Sequence, residues 1–164
     1  MTLRMVAVDH ENAVISSAWL DLLDHYARDP MGGGRGLSAY AKAHLAGALK
    51  ALPTFHGALA YEGDEAVGLI NCFAGFSTFA ARPLLNIHDI VTRADRRGQG
   101  VAPALLAWAE RRAGELGCCK LTLEVLSNNR AALAAYERAG FVPYVLEPAA
   151  GHALFLQKNL PEAT

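Results

Sequence analysis

The chain has 164 residues, 52% of them hydrophobic, with 15 Lys and Arg against 16 Asp and Glu, a size and balance that suit one domain, 1–164, with a single core. A formal charge of −1 gives no bulk attraction to nucleic acid or to an anionic membrane, so neither partner is expected and any anion site has to be local. Neither a signal-peptide core at the start nor an apolar stretch of about eighteen residues is present, so a cytoplasmic protein is expected.

In chain order, residues 2–8 alternate as an edge strand, and Asp9 suits the N-cap of a helix running to about residue 28. Ala13, Val14, Ala18, Leu20, Leu22 and Leu23 give that helix an apolar stripe, which Asp29-Pro30 ends. Met31-Gly32-Gly33-Gly34-Arg35-Gly36 follows no strand, so a mobile loop rimming a substrate pocket is expected there in preference to a phosphate cradle. Ser38 caps a second helix that stops at about residue 52, before Pro53. Residues 55–61 and 66–76 flank Glu62-Gly63-Asp64-Glu65 as an antiparallel hairpin, and residues 84–92 form a further strand.

That strand runs into Arg97-Gly98-Gln99-Gly100-Val101-Ala102-Pro103, which opens an amphipathic helix over 101–116. Glycine permits a sharp bend and close backbone approach, and the unpaired N–H groups and positive dipole end of the helix favour anionic oxygens. The turn is neither a G-x-G-x-x-G nor a G-x-x-x-x-G-K-[ST] fingerprint. Alone it fits a structural turn as well as a phosphate site. Residues 121–126 alternate as a strand, so the intervening helix makes a right-handed parallel crossover. Ser127-Asn128-Asn129 caps a helix over 130–139 closed by Gly140, and residues 141–145 and 152–157 are expected as the last two strands. Cys72, Cys118 and Cys119 suit buried apolar positions, and with no ligand spacing among the histidines no metal is expected.

The glycine turn, helix and strand, followed by Asn129-Arg130-Ala131-Ala132-Leu133-Ala134-Ala135-Tyr136 and Gly140-Phe141, resemble the GNAT superfamily of N-acetyltransferases. Arg97 to Ala102 fit its [Q/R]-x-x-G-x-[G/A] signature, although Thr92-Arg93-Ala94 stands where many relatives have Val-x-Pro. The resemblance implies an α/β (α+β) domain with a central mixed, twisted sheet of about six to seven strands and helices on both faces. It also implies acetyl-CoA as cosubstrate and transfer of the acetyl group to a primary amine of a small molecule, polyamine-like or other, by direct attack in a ternary complex. A protein or peptide acceptor and a non-catalytic acyl-CoA sensor are the alternatives. A homodimer is expected on the same ground.

Residue by residue, the resemblance implies that Arg97, Gly98, Gln99, Gly100, Val101 and Ala102 hold the coenzyme A pyrophosphate. The main chain of Ile90, Val91 and Thr92 would pair with the pantetheine arm, with Asn129 and Ala132 on the other side. Tyr136 would protonate the departing thiolate, although its helical spacing from Ala132 and Leu133 also suits the core. His88, with a reference pKa near 6.5, is the candidate general base, and a hydrogen-bonded structural histidine is the alternative. Asp89 is expected on the opposite side of the sheet, so that only one of the two faces the substrate. Trp19, Tyr26, the 31–36 loop, Phe73, Phe76 and Phe79 are candidates for the acceptor end.

Overall fold

The computed structural model describes residues 2–161. Strands β2 (Phe55–Glu62) and β3 (Glu65–Ser77) form the expected hairpin, with Gly63 at φ 57 supplying the left-handed residue of its turn. β1 (Leu3–Ala7) pairs antiparallel with β2, and β4 (Arg82–Thr92) pairs antiparallel with β3. β5 (Leu121–Leu123) runs parallel to β4, so the sheet order is β1-β2-β3-β4-β5.

Both faces of the sheet are covered, which is why the central strands read as nearly continuous apolar runs. On one face, helix α1 (Ala13–Arg28) brings Trp19, Leu22 and Leu23 into a cluster with Leu59, Tyr61, Leu69 and Val91. Helix α2 (Ala39–Lys50) adds Leu45 and Leu49 to the edge of that cluster. On the other face, helix α3 (Val101–Glu115) packs Val101, Leu105, Leu106, Ala109 and Ala113 against Ala58, Ala60, Val67, Ile70 and Cys72. Fully buried side chains such as Leu59, Leu69 and Leu105 each stabilise the fold by about 1.5–3 kcal/mol. The start of α3 lies so close to β3 that a Cβ on Gly68 would come within 2.5 Å of Val101 Cγ1 and 2.9 Å of the Val91 carbonyl oxygen. Gly68 therefore sets how closely the glycine turn seats against the sheet.

Several expectations are corrected. Asn12, not Asp9, caps α1: its side-chain oxygen accepts from the N–H groups of Val14 and Ile15, whereas Asp9 accepts from Glu11 N–H within the preceding turn. Among the described residues the sheet has five strands, because residues 141–145 and 152–157 lie outside it. Pro143 cannot donate to a ladder, and β5 offers only three paired residues for a further strand to join. Residues 124–126 also leave the sheet as the chain turns towards α4 (Arg130–Arg138). Cys72 is buried as expected, and burial pushes its thiol up to about 12, while Cys118 and Cys119 are only half-buried in the turn after α3. The 31–36 loop is anchored at both ends: Asp29 accepts from Met31 N–H, and Asp24 Oδ1 accepts from Leu37 N–H at 2.7 Å.

Candidate active site

The centre of the site is an irregularity in β4. Leu85 and Ile87 point into the core beneath α3, and strict alternation would send Asp89 the same way. The register with β3 slips here, however: Cys72 pairs with Ile87 and Asn71 with Asp89, leaving His88 as an extra residue on β4. This β-bulge resets the alternation. Beyond it Val91 joins the α1-side cluster, and Asp89 lies against Asn71 on that face. The His88 ring packs edge-on to Phe73 at 5.5 Å between centroids, and its Nδ1 stands 3.5 Å from Asp89 Oδ2. His88 and Asp89 thus share one side of the sheet, contrary to the expectation that only one of them does.

The carboxylate of Asp89 holds the His88 imidazole above its ordinary pKa, against the opposing effect of partial burial, with Glu124 adding to the attraction. Asp89 Oδ2 also accepts a hydrogen bond from Asn71 Nδ2 at 3.0 Å, and Asn71 Oδ1 accepts one from Trp19 Nε1 at 2.7 Å.

Past the bulge the sheet opens. β5 keeps step with β4 only as far as the Leu123 and Ile87 pair, whereas Ile90, Val91 and Thr92 continue to pair with Ile70, Leu69 and Gly68 of β3. Among the described residues, no strand pairs with the β5-facing edge of these three. A cleft of about 90 Å³ lies between the diverging strands, with His88 and Ile90 on one wall and Asn129, Ala132 and Tyr136 of the α4 region on the other. Tyr26 from the end of α1 and Glu124 complete it. A larger hollow of about 320 Å³, lined by Asp21, His25, Glu65 and Arg93, contains none of these residues.

Tyr136 belongs to both core and cleft. Its ring packs on the α3-side cluster and edge-on to Phe141 at 6.0 Å. Burial, and secondarily the neighbouring Tyr26, push its phenol up to about 12, so it carries its proton throughout the neutral range. Asn129 caps α4 by accepting from Ala132 N–H at 3.2 Å, which places both residues at the mouth of the cleft.

The glycine turn leads from β4 into α3. Gly98 and Gly100 have φ of 75 and 85, and an added Cβ at either would meet nothing within 4 Å. Their requirement is therefore conformational, and the space beside them is open. Gly100 is the N-cap and offers no side chain, so the first-turn N–H groups of α3 are left without a side-chain acceptor. The nearby arginines are engaged: Arg97 with Asp29 at 2.8 Å, Arg93 with Asp95 at 2.7 Å, and Arg96 with Glu62 at 2.8 Å. Gln99 Nε2 donates to the Asp95 carbonyl at 3.1 Å. The anion-attracting feature is thus the helix terminus, with Arg97 tying the turn to the end of α1. Val101 is buried to 1% exposure and Val91 to 4%, so each presents only its backbone.

His88, Ile90, Asn129, Ala132 and Tyr136 come together in the cleft, whereas Val91, Thr92 and residues 97–102, the turn between β4 and α3, are not part of its lining. Of the aromatic candidates, Tyr26 lines the cleft and Phe73 abuts His88, but Trp19 is wholly buried and Phe76 and Phe79 are 61% and 90% exposed. The sequence reading missed Asn71, whose one available signal was a polar residue inside the apolar run from Val67 to Cys72.

The sequence model of the Acetyltransferase (GNAT) family matches residues 16–141. The chain is 33% identical over 89 residues to the aminoalkylphosphonate N-acetyltransferase of Salmonella typhimurium, a stretch covering 54% of this chain and 58% of that relative, so it spans just over half the relative's length. Among solved structures, one described as a transcriptional regulator from Bacillus halodurans C-125 superposes with a TM-score of 0.79 at 21% identity, covering 96% of this chain and all of that one. The aminoglycoside acetyltransferase meta-AAC0020, from an uncultured soil metagenomic sample and in complex with trehalose, gives a TM-score of 0.76 at 15% identity over 97% of both chains. The aminoglycoside N-acetyltransferase AAC(6')-Iy, in complex with CoA, gives 0.73 at 13% identity over 97% of this chain and 96% of that one.

Proposed function

The chain belongs to the GNAT family of acetyltransferases, and on that premise we propose that it is an acetyl-CoA-dependent N-acetyltransferase acting on a primary amine of a small molecule. The observation that carries the proposal is the cleft, which sets a half-buried, protonated Tyr136 opposite a His88 and Asp89 pair beside an open strand edge. Acceptors named for the relatives, an aminoalkylphosphonate and aminoglycosides, are small amines and support the same class.

The residues fit coenzyme A. The N–H groups of Gly98 to Ala102 at the start of α3 would hold the pyrophosphate, and the free edge of Ile90, Val91 and Thr92 would pair with the amides of the pantetheine arm. Asn129 and Ala132 would flank that arm. When bound, acetyl-CoA supplies an activated thioester.

An amine attacks only when neutral, whereas most primary amines arrive as cations. Asp89 and Glu124 make the cleft attractive to such a cation. His88 then takes its proton, directly or through water, in the form whose Nδ1–H faces Asp89 and whose Nε2 is free to accept. Having passed that first proton to solvent, His88 would take the second as the amine nitrogen bonds to the acetyl carbon and the carbon–sulfur bond breaks, the coenzyme A thiolate leaving to be protonated by water. Backbone N–H groups near Ile90 or Val91 would stabilise the carbonyl oxygen as it gains charge, and the Tyr136 hydroxyl would meet the departing sulfur.

The test is thiol release from acetyl-CoA across polyamines, amino acids, aminoalkylphosphonates, aminoglycosides and short peptides. Release with at least one small amine, and its loss in His88→Gln, is expected. Tight acetyl-CoA binding with no release above solvent hydrolysis for any amine would instead indicate a sensor.

A further inference from the structure

A buried polar residue inside an apolar cluster needs a reason, because leaving its groups unpaired costs about 1–3 kcal/mol. Asn71 is such a residue: it is 2% exposed, on the central strand β3, inside the apolar run from Val67 to Cys72. Its partners fix its orientation without ambiguity. The indole N–H of Trp19 can only donate, so the amide oxygen of Asn71 faces it at 2.7 Å. The amide NH₂ therefore faces Asp89, whose Oδ2 accepts from it at 3.0 Å. Trp19 itself is wholly buried in the α1-side core, so the chain of hydrogen bonds is anchored in that core.

The chain ends at the bulge. A bulged residue has no cross-strand partner of its own, so the backbone alone does not fix where His88 points. Its side chain is 62% exposed, whereas that of Asp89 is 20% exposed. Of the groups around His88, namely Asp89, Glu124, the Phe73 ring and the cleft face of Tyr136, Asp89 is the acceptor within 3.5 Å of Nδ1.

We propose that Asn71, locked by Trp19, is a positioning residue that aims the Asp89 carboxylate at His88 Nδ1 and thereby selects the tautomer that leaves Nε2 to accept the amine proton. The inference rests on the reading of His88 as the proton acceptor. Asn71 touches no reacting atom and acts through Asp89. Its other demand is shape: it fills the space between Trp19 and β4, which leucine also fills, so loss of the hydrogen bonds is separable from loss of packing.

The test is a double-mutant cycle on purified full-length protein, with Asn71→Leu, Asp89→Asn and the double variant, scored as kcat/KM for the amine and KM for acetyl-CoA. Asn71→Leu is expected to lower kcat/KM for the amine about tenfold through kcat, in keeping with the loss of one charge-assisted hydrogen bond, and to leave the acetyl-CoA KM unchanged. In the Asp89→Asn background the same change is expected to have no further effect. The nitrogen chemical shifts of the His88 ring, assigned by their absence in His88→Gln, should show Nε2 unprotonated in the neutral wild type and mixed tautomers in Asn71→Leu. Should Asn71→Leu fold poorly, Trp19→Phe removes the anchoring donor while keeping an aromatic ring, and it is expected to mix the tautomers likewise. A silent Asn71→Leu, or losses that multiply with those of Asp89→Asn, would overturn this inference while leaving His88 as the base. Silent His88→Gln and Asp89→Asn variants would overturn the assignment of the base, and this inference with it.

Discussion

Removing a single oxygen, in Tyr136→Phe, separates the two roles that this residue can play. The ring packs on the α3-side core and on Phe141, and phenylalanine keeps both contacts, so stability should change little. The chemistry should change more. With the phenol pushed up to about 12 by burial and a thiol reference near 8.5, outright proton transfer from Tyr136 to a departing thiolate is uphill by about 5 kcal/mol. On the proposed mechanism the hydroxyl would therefore act chiefly as a hydrogen-bond donor to sulfur as charge develops there, and the thiolate would take its final proton from water. A hydrogen bond to a charged group is worth about 1.5–3 kcal/mol, so kcat should fall about 10- to 150-fold at saturating amine. Thiol release gives kcat, and calorimetric titration gives acetyl-CoA affinity, which should stay within about twofold because the interaction forms only as the bond breaks. A phenol near 12 also predicts no alkaline fall in kcat from this group up to pH ~10. Unchanged kcat, or a loss expressed wholly in acetyl-CoA affinity, would refute the argument.

Three further perturbations follow from the geometry. Asp89 raises the pKa of His88, so Asp89→Asn should lower it; at a given pH less of the imidazole is protonated, and the acidic limb of kcat/KM should move to lower pH even as the plateau falls. A limb that stays in place or moves up, with the same amine, would detach His88 from that limb. Gly100→Ala adds a Cβ in open space but at φ 85, so its cost is purely conformational at about 1–2 kcal/mol, and weaker acetyl-CoA binding by titration should accompany the loss of stability. Gly68→Ala instead meets Val101 Cγ1 and the Val91 carbonyl oxygen, so overpacking should cost about 1–3 kcal/mol, seen as a lower Tm by thermal unfolding, although its backbone φ is ordinary.

The parts of this molecule legible in the sequence are those written in consecutive residues. Helix α3 and its glycine turn announced themselves through the Leu105, Leu106, Ala109 and Ala113 stripe and through Gly98 and Gly100, each fixed by local backbone physics. Asn129 was legible as a cap for the same reason. The fate of the terminal segments is not legible, because the largely apolar residues 141–145 and 152–157 say only that a segment suits a sheet. Whether one is available depends on β5, which is three residues long. The N-cap of α1 was misplaced from Asn12 to Asp9 because either residue type can cap, and the structure is decided by which one sits a single residue before the first helical turn.

The bulge at His88 is of a different kind, because it is not a property of β4 at all. Register is a relation between two strands, and the slip between Asn71 and Cys72 is visible only once β3 is laid beside β4. From β4 alone, His88 and Asp89 must point apart; from the pair of strands they share a face, and the polar residue of β3 opposite the bulge acquires a partner. Two features that looked independent in the sequence, a histidine followed by an aspartate and an isolated asparagine in an apolar run, are thus one device. Bulges cluster beside active sites because a single inserted residue can turn neighbouring side chains onto one face without breaking the sheet that holds them. Here the same insertion coincides with the point where β5 departs after Leu123, so the residue that re-aims the side chains also stands at the opening of the cleft they serve.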